Sequence, residues 1–306
     1  MNEAKGKAIT MSILLDENTA VVVQGLTGAQ ATNDTKFCLD YGTKIVAGVV
    51  PGRGGTEAGG LPVYDTVKEA QSHHHIDASV IYVPASGARD AALEAIEAGL
   101  GLVVIITENI PYHDLIDINY YAKKRGTVVI GPNTNGMISP GKAKLGIVGN
   151  VAWAFEPGNV GILSRSGGMC HDLGYSLKRQ GLGVSTSVSM GGDPMIGSSF
   201  SYLLALFEKD PETEAVILFC DPGPSYEEDA ADFIKNGGFT KPVAAFLTGH
   251  FIESMPRGVS FGHSGAMVER NSDSPSNKAQ ILKDAGVQVF EKLADIPAYL
   301  KKILKE

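Results

Sequence analysis

The residues with the clearest capacity for chemistry lie near the end of the chain, in Gly262-His263-Ser264-Gly265-Ala266. A histidine among small residues can be approached closely by a ligand, and the flanking backbone N–H groups can cradle the oxygens of a phosphoryl group. Imidazole is also a nucleophile that forms covalent intermediates. Taken alone, the same residues fit a histidine satisfied in a glycine-rich turn. Two earlier stretches shift the balance toward chemistry. Gly25-Leu-Thr27-Gly28-Ala29-Gln30 and Ser164-Arg-Ser166-Gly167-Gly168 each follow an apolar run and open a helical pattern. Glycines in that context let backbone approach a phosphate at a helix N-terminus. The first is GxxG rather than GxGxxG, so an ordinary tight turn reads equally well. The second fits a helix cap by Ser164 or Ser166 as well as an anion site.

Other candidates stand where strands should end. Val50-Pro-Gly-Arg53-Gly-Gly55 puts a cation where a nicotinamide site usually has an acid, which favours a ligand with an extra phosphate, NADP or coenzyme A. Val83-Pro84 and Ile106-Thr107-Glu108 fall on the same expected edge, and Glu108 has the chemistry to accept from a ribose or base. The run His73-His74-His75 does not read as a metal site, because adjacent side chains project in different directions; no metal site is expected.

These residues need a scaffold of parallel strands. Short β-branched runs alternate with helical patterns at 20–24, 44–50, 78–83, 102–107 and 127–131, and again at 160–164, 184–188, 215–219, 243–247 and 287–290. Continuous apolar runs of this kind suit sheets buried on both faces. The reading is α/β: residues 1–10 a disordered extension, 11–140 a first open unit, 141–157 a connection holding the sole tryptophan, Trp153, and 158–306 a second. A chain of 306 residues, 43% hydrophobic and 20% charged, supplies cores for two domains. The formal net charge of −8 argues against non-specific nucleic-acid binding. No apolar run is long enough to span a bilayer. Cys38, Cys170 and Cys220 are scattered and odd in number, which fits a reducing cytoplasm better than a disulfide framework.

From residues 11–16 to 293–296 the chain resembles the alpha subunit of succinyl-CoA synthetase, an NDP-forming acid–CoA ligase, and the matching part of ATP-citrate lyase. The resemblance rests on motifs in fixed order. They include Gln24-Gly-Leu-Thr-Gly28, Tyr41-Gly-Thr-Lys44, Gly60-Leu-Pro-Val63, Ala78-Ser-Val-Ile-Tyr-Val-Pro84, Gly131-Pro-Asn133, Ser164-Arg-Ser-Gly167, Gly191-Gly-Asp-Pro194 and Gly262-His263. It implies an N-terminal Rossmann-like CoA-binding domain followed by a flavodoxin-like ligase domain. It further implies that Thr27, Gly28, Ala29, Gln30, Arg53, Val83, Pro84, Ile106, Thr107, Glu108 and Asn133 hold coenzyme A. By the same pattern, His263 is phosphorylated, Asp221 orients it and Ser166–Gly168 hold the phosphoryl group. ATP or GTP with magnesium belongs to a beta subunit of ATP-grasp fold, in an αβ or α2β2 assembly. This chain itself shows no GxxxxGK[ST] motif.

Three positions depart from the family. Arg53 replaces lysine, Asp221 replaces glutamate, and His171 stands where a tyrosine lies near the acid. A partly charged imidazole at 171 suggests a substrate more polar than succinate. The expected activity is acid, CoA and NTP to acyl-CoA, NDP and phosphate. The acid is small and di- or multi-anionic: succinate, or malate, citrate or a sulfonated carboxylate. Two alternatives remain, a CoA-binding module without catalysis and an NADP-dependent dehydrogenase.

Overall fold

The computed structural model describes residues 12–259 and 262–304, so the extension expected at residues 1–10 lies outside the described residues. The first unit is built on β1 (Val21–Gln24), β2 (Ile45–Val49), β3 (Glu57–Ala58), β4 (Leu61–Tyr64), β5 (Ala78–Ile81), β6 (Leu102–Ile105) and β7 (Val128–Ile130). Their spatial order is β3-β4-β2-β1-β5-β6-β7, parallel except for the short edge strand β3. Every residue of β1, β5, β6 and β7 is buried, which is why these strands read as unbroken apolar runs. The helices are α1 (Ala29–Tyr41), α2 (Val67–His73), α3 (Ala85–Glu97) and α4 (Tyr112–Arg125). Leu115, Ile118 and Ala122 form the buried stripe of α4, which stops at Gly126 with φ 76°.

The second unit begins earlier in the chain than its sequence pattern indicates. β8 (Met137–Ser139) and β9 (Ala143–Leu145) form an antiparallel hairpin, and β8 pairs with β11 (Val184–Ser189). The stretch read as a connection thus holds a strand, a 3-10 turn over Ile147–Ala154, and the start of β10 (Pro157–Ser164). Three-residue strands carry too little periodicity to be seen in the sequence. The remaining strands are β12 (Ala215–Cys220), β13 (Val243–Leu247) and β14 (Gln288–Phe290), giving the order β14-β13-β12-β10-β11-β8-β9. Helices α5 (Gly167–Arg179), α6 (Phe200–Lys209), α7 (Tyr226–Lys235), α8 (Pro275–Asp284) and α9 (Ile296–Ile303) complete the fold. One core cluster runs across both units, from Val21, Val80 and Val104 to Leu163, Val188 and Val216.

Strand order fixes where ligands can sit. In the first sheet the chain passes from β1 to β2 on one side and returns to β5 on the other. In the second it passes from β10 to β11 and returns to β12. Each reversal opens a crevice at the carboxyl ends of the strands, the usual ligand position in open α/β sheets.

A buried ion cluster anchors the second crevice. Lys278 on α8 is fully buried, and its Nζ reaches Pro224 O at 2.9 Å, Glu227 Oε2 at 3.0 Å and Glu228 Oε2 at 2.7 Å. Burial pushes the Glu227 carboxyl up, with Lys278 opposing. Burial also opposes the charge on Lys278, yet the two carboxylates hold it above its ordinary value. Removing one partner of such a cluster leaves an uncompensated charge, so Lys278→Met should cost about 3–5 kcal/mol in urea unfolding. A carboxyl whose folded-state pKa is raised loses stabilisation as pH rises through that value. The penalty should therefore be smaller near pH ~5 than near pH ~7.5, and Glu227→Gln in the same background should recover part of it.

Candidate active site

The second crevice gathers the chemistry. Asp221 follows β12 and is 5% exposed at its side chain; His263 is 31% exposed. His263 Nδ1 lies 2.5 Å from Asp221 Oδ2; a carboxylate accepts, so Nδ1–H donates to it and the lone pair is left on Nε2. Glycines make room for the loop. A Cβ on Gly192 would fall 2.7 Å from His263 Cδ2, and one on Gly223, whose φ is 121°, would fall 2.2 Å from Gly265 O. Next to Asp221 across the reversal, Arg165 N donates to Phe219 O at 3.0 Å, and the chain turns into α5. Ser166 is the N-cap of α5 and makes no side-chain cap bond, which leaves the N–H groups of the first turn available to an anion. Gly168 is open to solvent: a Cβ there would meet nothing within 4 Å.

His171 sits one turn into α5, half-buried, its ring edge-on to Phe155 at 5.9 Å. Its Nε2 is buried without a partner among the described residues. Burial lowers its pKa, with Asp172 opposing, so the imidazole is held toward the neutral form rather than partly charged as expected from sequence.

The first crevice presents the residues expected to hold CoA. Thr27 and the N-cap Gly28 are exposed between β1 and α1, as are Ala29 and Gln30 at the start of α1, and Gly28 makes no side-chain cap. Val83 and Pro84 follow β5 across the reversal. Arg53 is exposed in the turn after β2, a turn shaped by Arg53 N to Val50 O at 3.0 Å and Gly54 N to Asp65 Oδ1 at 2.8 Å. Ile106, Thr107 and Glu108 follow β6; Asn133 follows β7 with φ 55°. Thr107 Oγ1 donates to Val83 O at 2.6 Å and Asn133 N to Thr107 O at 2.9 Å, so these loops are tied in series. Uncapped N–H groups, small exposed residues and an exposed guanidinium along one edge fit a phosphate-rich ligand.

The histidine run is not a cluster. His73 stacks on Tyr64 at 5.2 Å, His74 Nε2 meets Tyr64 Oη at 2.9 Å, and His75 Nε2 meets Asp77 Oδ1 at 2.7 Å.

Residues 16–109 match a CoA binding domain and residues 163–295 match a CoA-ligase domain. Over 294 residues the chain is 46% identical to the ADP-forming succinate–CoA ligase subunit alpha 2 of Archaeoglobus fulgidus, covering 96% of this chain and all of that one. The chain belongs to the family of CoA-ligase alpha subunits. It is also 39% identical over 297 residues to a subunit of an ADP-forming sulfoacetate–CoA ligase of Acholeplasma sp, covering 97% of this chain and 98% of that one. Among solved structures, ATP citrate lyase from Methanothrix soehngenii, in complex with citrate and coenzyme A, superposes with a TM-score of 0.89 at 26% identity. That likeness covers 96% of this CoA-ligase alpha chain and 50% of the lyase chain. The CoA binding domain sets aside the NADP-dependent dehydrogenase alternative.

The structure adds residues that sequence reasoning gave no role. Asp193 and Arg165 are buried between the two crevices, and Gly192 packs on the His263 ring. The motifs Gly191-Gly-Asp-Pro194 and Ser164-Arg-Ser-Gly167 contain them without marking them as partners.

A prediction follows from the orphaned nitrogen of His171. Replacing an unsatisfied buried polar group with an apolar one of similar shape is near neutral or stabilising, so His171→Phe should leave the melting temperature unchanged or higher. A His with lowered folded pKa contributes stability above its unfolded value of about 6.5 and loses it as pH falls. The drop in melting temperature between about pH 7.5 and about pH 5.5 should therefore shrink in the variant.

Proposed function

We propose that this chain makes an acyl-CoA from a small di- or multi-anionic carboxylic acid, CoA and ATP or GTP, through a phosphohistidine at His263 and an acyl phosphate. The pairing of His263 Nδ1 with the buried Asp221 carboxylate carries this reading. It fixes the tautomer, orients the ring and stabilises the cationic imidazole ring that forms when Nε2 takes a phosphoryl group. The nucleotide and its magnesium belong to a partner beta subunit of ATP-grasp fold, in an αβ or α2β2 cytoplasmic assembly.

In the first step Nε2 attacks the terminal phosphorus and NDP leaves. In the second a carboxylate oxygen of the acid takes the phosphoryl group and frees Nε2. The CoA thiol then attacks the acyl carbon, its proton passes to the departing phosphate, and the thioester forms. The uncapped start of α5, Ser166–Gly168, stabilises the phosphoryl group through its N–H groups and the helix dipole. Thr27–Gln30, Arg53, Val83, Pro84, Ile106–Glu108 and Asn133 hold CoA. His171, held toward neutrality near the start of α5, reads the acid by a hydrogen bond rather than by charge. Relatives that act on succinate and on sulfoacetate support an acid bearing a second anionic group.

The complex with its partner subunit, incubated with γ-labelled ATP or GTP, should carry acid-labile, base-stable label on this chain. His263→Asn should abolish the label, and its persistence there would sink the reading. Asp221→Ala, which removes one charge-assisted hydrogen bond, should slow labelling roughly 10- to 100-fold. Arg53→Ala should raise the KM for CoA about tenfold with labelling intact. Turnover with succinate, malate, citrate and a sulfonated carboxylate then identifies the acid.

A further inference from the structure

The seam between the two crevices is held by one buried carboxylate. Asp193, 5% exposed, follows β11 on the loop of the second sheet. Its Oδ1 accepts from Asn133 Nδ2 at 3.0 Å and from Ser264 Oγ at 3.1 Å. Its backbone oxygen accepts from Arg165 Nη2 at 2.8 Å. The Arg165 guanidinium is itself 2% exposed and lies over the Tyr226 ring at 5.0 Å. The three donors come from three places: Asn133 from the CoA edge, Ser264 from beside His263, and Arg165 from the entry to α5. A backbone path runs alongside, with Gly192 N donating to Asn133 O at 3.2 Å and Gly265 N to Gly192 O at 3.0 Å.

Hydrogen bonds to a charged acceptor are stronger than neutral ones, and a buried acceptor is costly to leave unpaired. One oxygen shared by two donors makes the position of each depend on the other. Thr107, Asn133, Asp193 and Ser264 thus form a continuous polar chain from the CoA edge to the reactive histidine. Asp193 touches no reacting atom; it sets the distance between the groups that do.

We propose that Asp193 is a positioning residue that registers the His263 loop against the CoA edge, so that the CoA thiol reaches the acyl phosphate where His263 delivers it. The inference rests on the phosphohistidine reading above. It assigns Asp193 to the CoA-dependent discharge of the enzyme. Charging from the nucleotide needs His263 and the partner subunit but not the CoA edge.

The test uses the complex with its partner subunit, labelled from γ-labelled ATP or GTP and then chased with CoA and succinate, or with the acid from the panel that turns over fastest. In Asp193→Ala and Ser264→Ala the labelled fraction should stay within about twofold of the parent, while discharge slows about tenfold and the KM for CoA rises. Asp193→Asn, which keeps an oxygen acceptor, should restore part of the rate. Asn133→Ala and Ser264→Ala should be non-additive when Asp193 is present and additive in Asp193→Ala. Ser264→Ala removes only a hydroxyl, so it carries the test if the Asp193 variants fold poorly. Discharge and KM at parent values in Ser264→Ala and Asp193→Ala would overturn the proposal. So would labelling and discharge falling in parallel across the variants, which is the mark of a merely structural role. Absence of label on the parent chain would instead defeat the phosphohistidine reading.

Discussion

Two parallel sheets can turn their carboxyl edges toward one space only if backbone meets backbone at the seam between them. Two glycines meet that constraint here. A Cβ on Gly191, after β11, would fall 2.1 Å from Pro132 O, and one on Gly197 2.5 Å from Val129 O of β7. Gly191 also has positive φ, at 107°, a region that L side chains enter only with strain. The seam is then closed by backbone bonds such as Gly197 N to Gly131 O at 2.8 Å and Gly192 N to Asn133 O at 3.2 Å. Because the seam is so thin, loops from both sheets reach a common buried carboxylate.

The two crevices differ in electrostatics. The chain carries a formal net charge of −8, yet the first crevice offers uncapped helix N–H groups and an exposed arginine. Local dipoles and one guanidinium act at short range, whereas water and salt screen the distant field of the whole molecule. In the second crevice a buried carboxylate sits against a histidine ring, while a helix start nearby offers donors to an anion. The same small region can thus host a cationic ring and the anion attached to it.

Much of this was legible in the sequence, for a physical reason. Strands buried on both faces must be apolar throughout, so Val21–Gln24, Ala78–Ile81 and Ala215–Cys220 stand out without any alignment. The loops that follow them carry Thr27, Val83 and Asp221, and topology alone brings the carboxyl ends to one edge. Less visible were α2, a seven-residue helix, and α4, whose buried face is only Leu115, Ile118 and Ala122 among exposed tyrosines. The pairing of Asp221 with His263 spans 42 positions, and no local pattern encodes such a distance. Asp193 looks like any aspartate in a glycine-rich turn; only its two donors in space distinguish it. The burial that lowers the pKa of His171 involves Phe155, a residue outside its own helix, so the stretch around 171 does not reveal it.

The hairpin of β8 and β9 has a consequence for how the protein is made. All six of its residues are buried, and it docks on β11 while Thr43 at the end of α1 bonds Lys144 O at 2.8 Å. During synthesis it leaves the ribosome directly after the first sheet but cannot pair until residues 184–189 follow. Met137 and Leu145 join the core that the first sheet begins, but Ile138 packs with Val160 and Ile162 and is meanwhile apolar surface without a home, the kind of surface that chaperones bind and that aggregates if held too long. The hairpin's edge therefore stays unpaired until β11 has been made. A cut just after β9 would strand this hairpin on one piece and leave β11 as an open strand edge on the other.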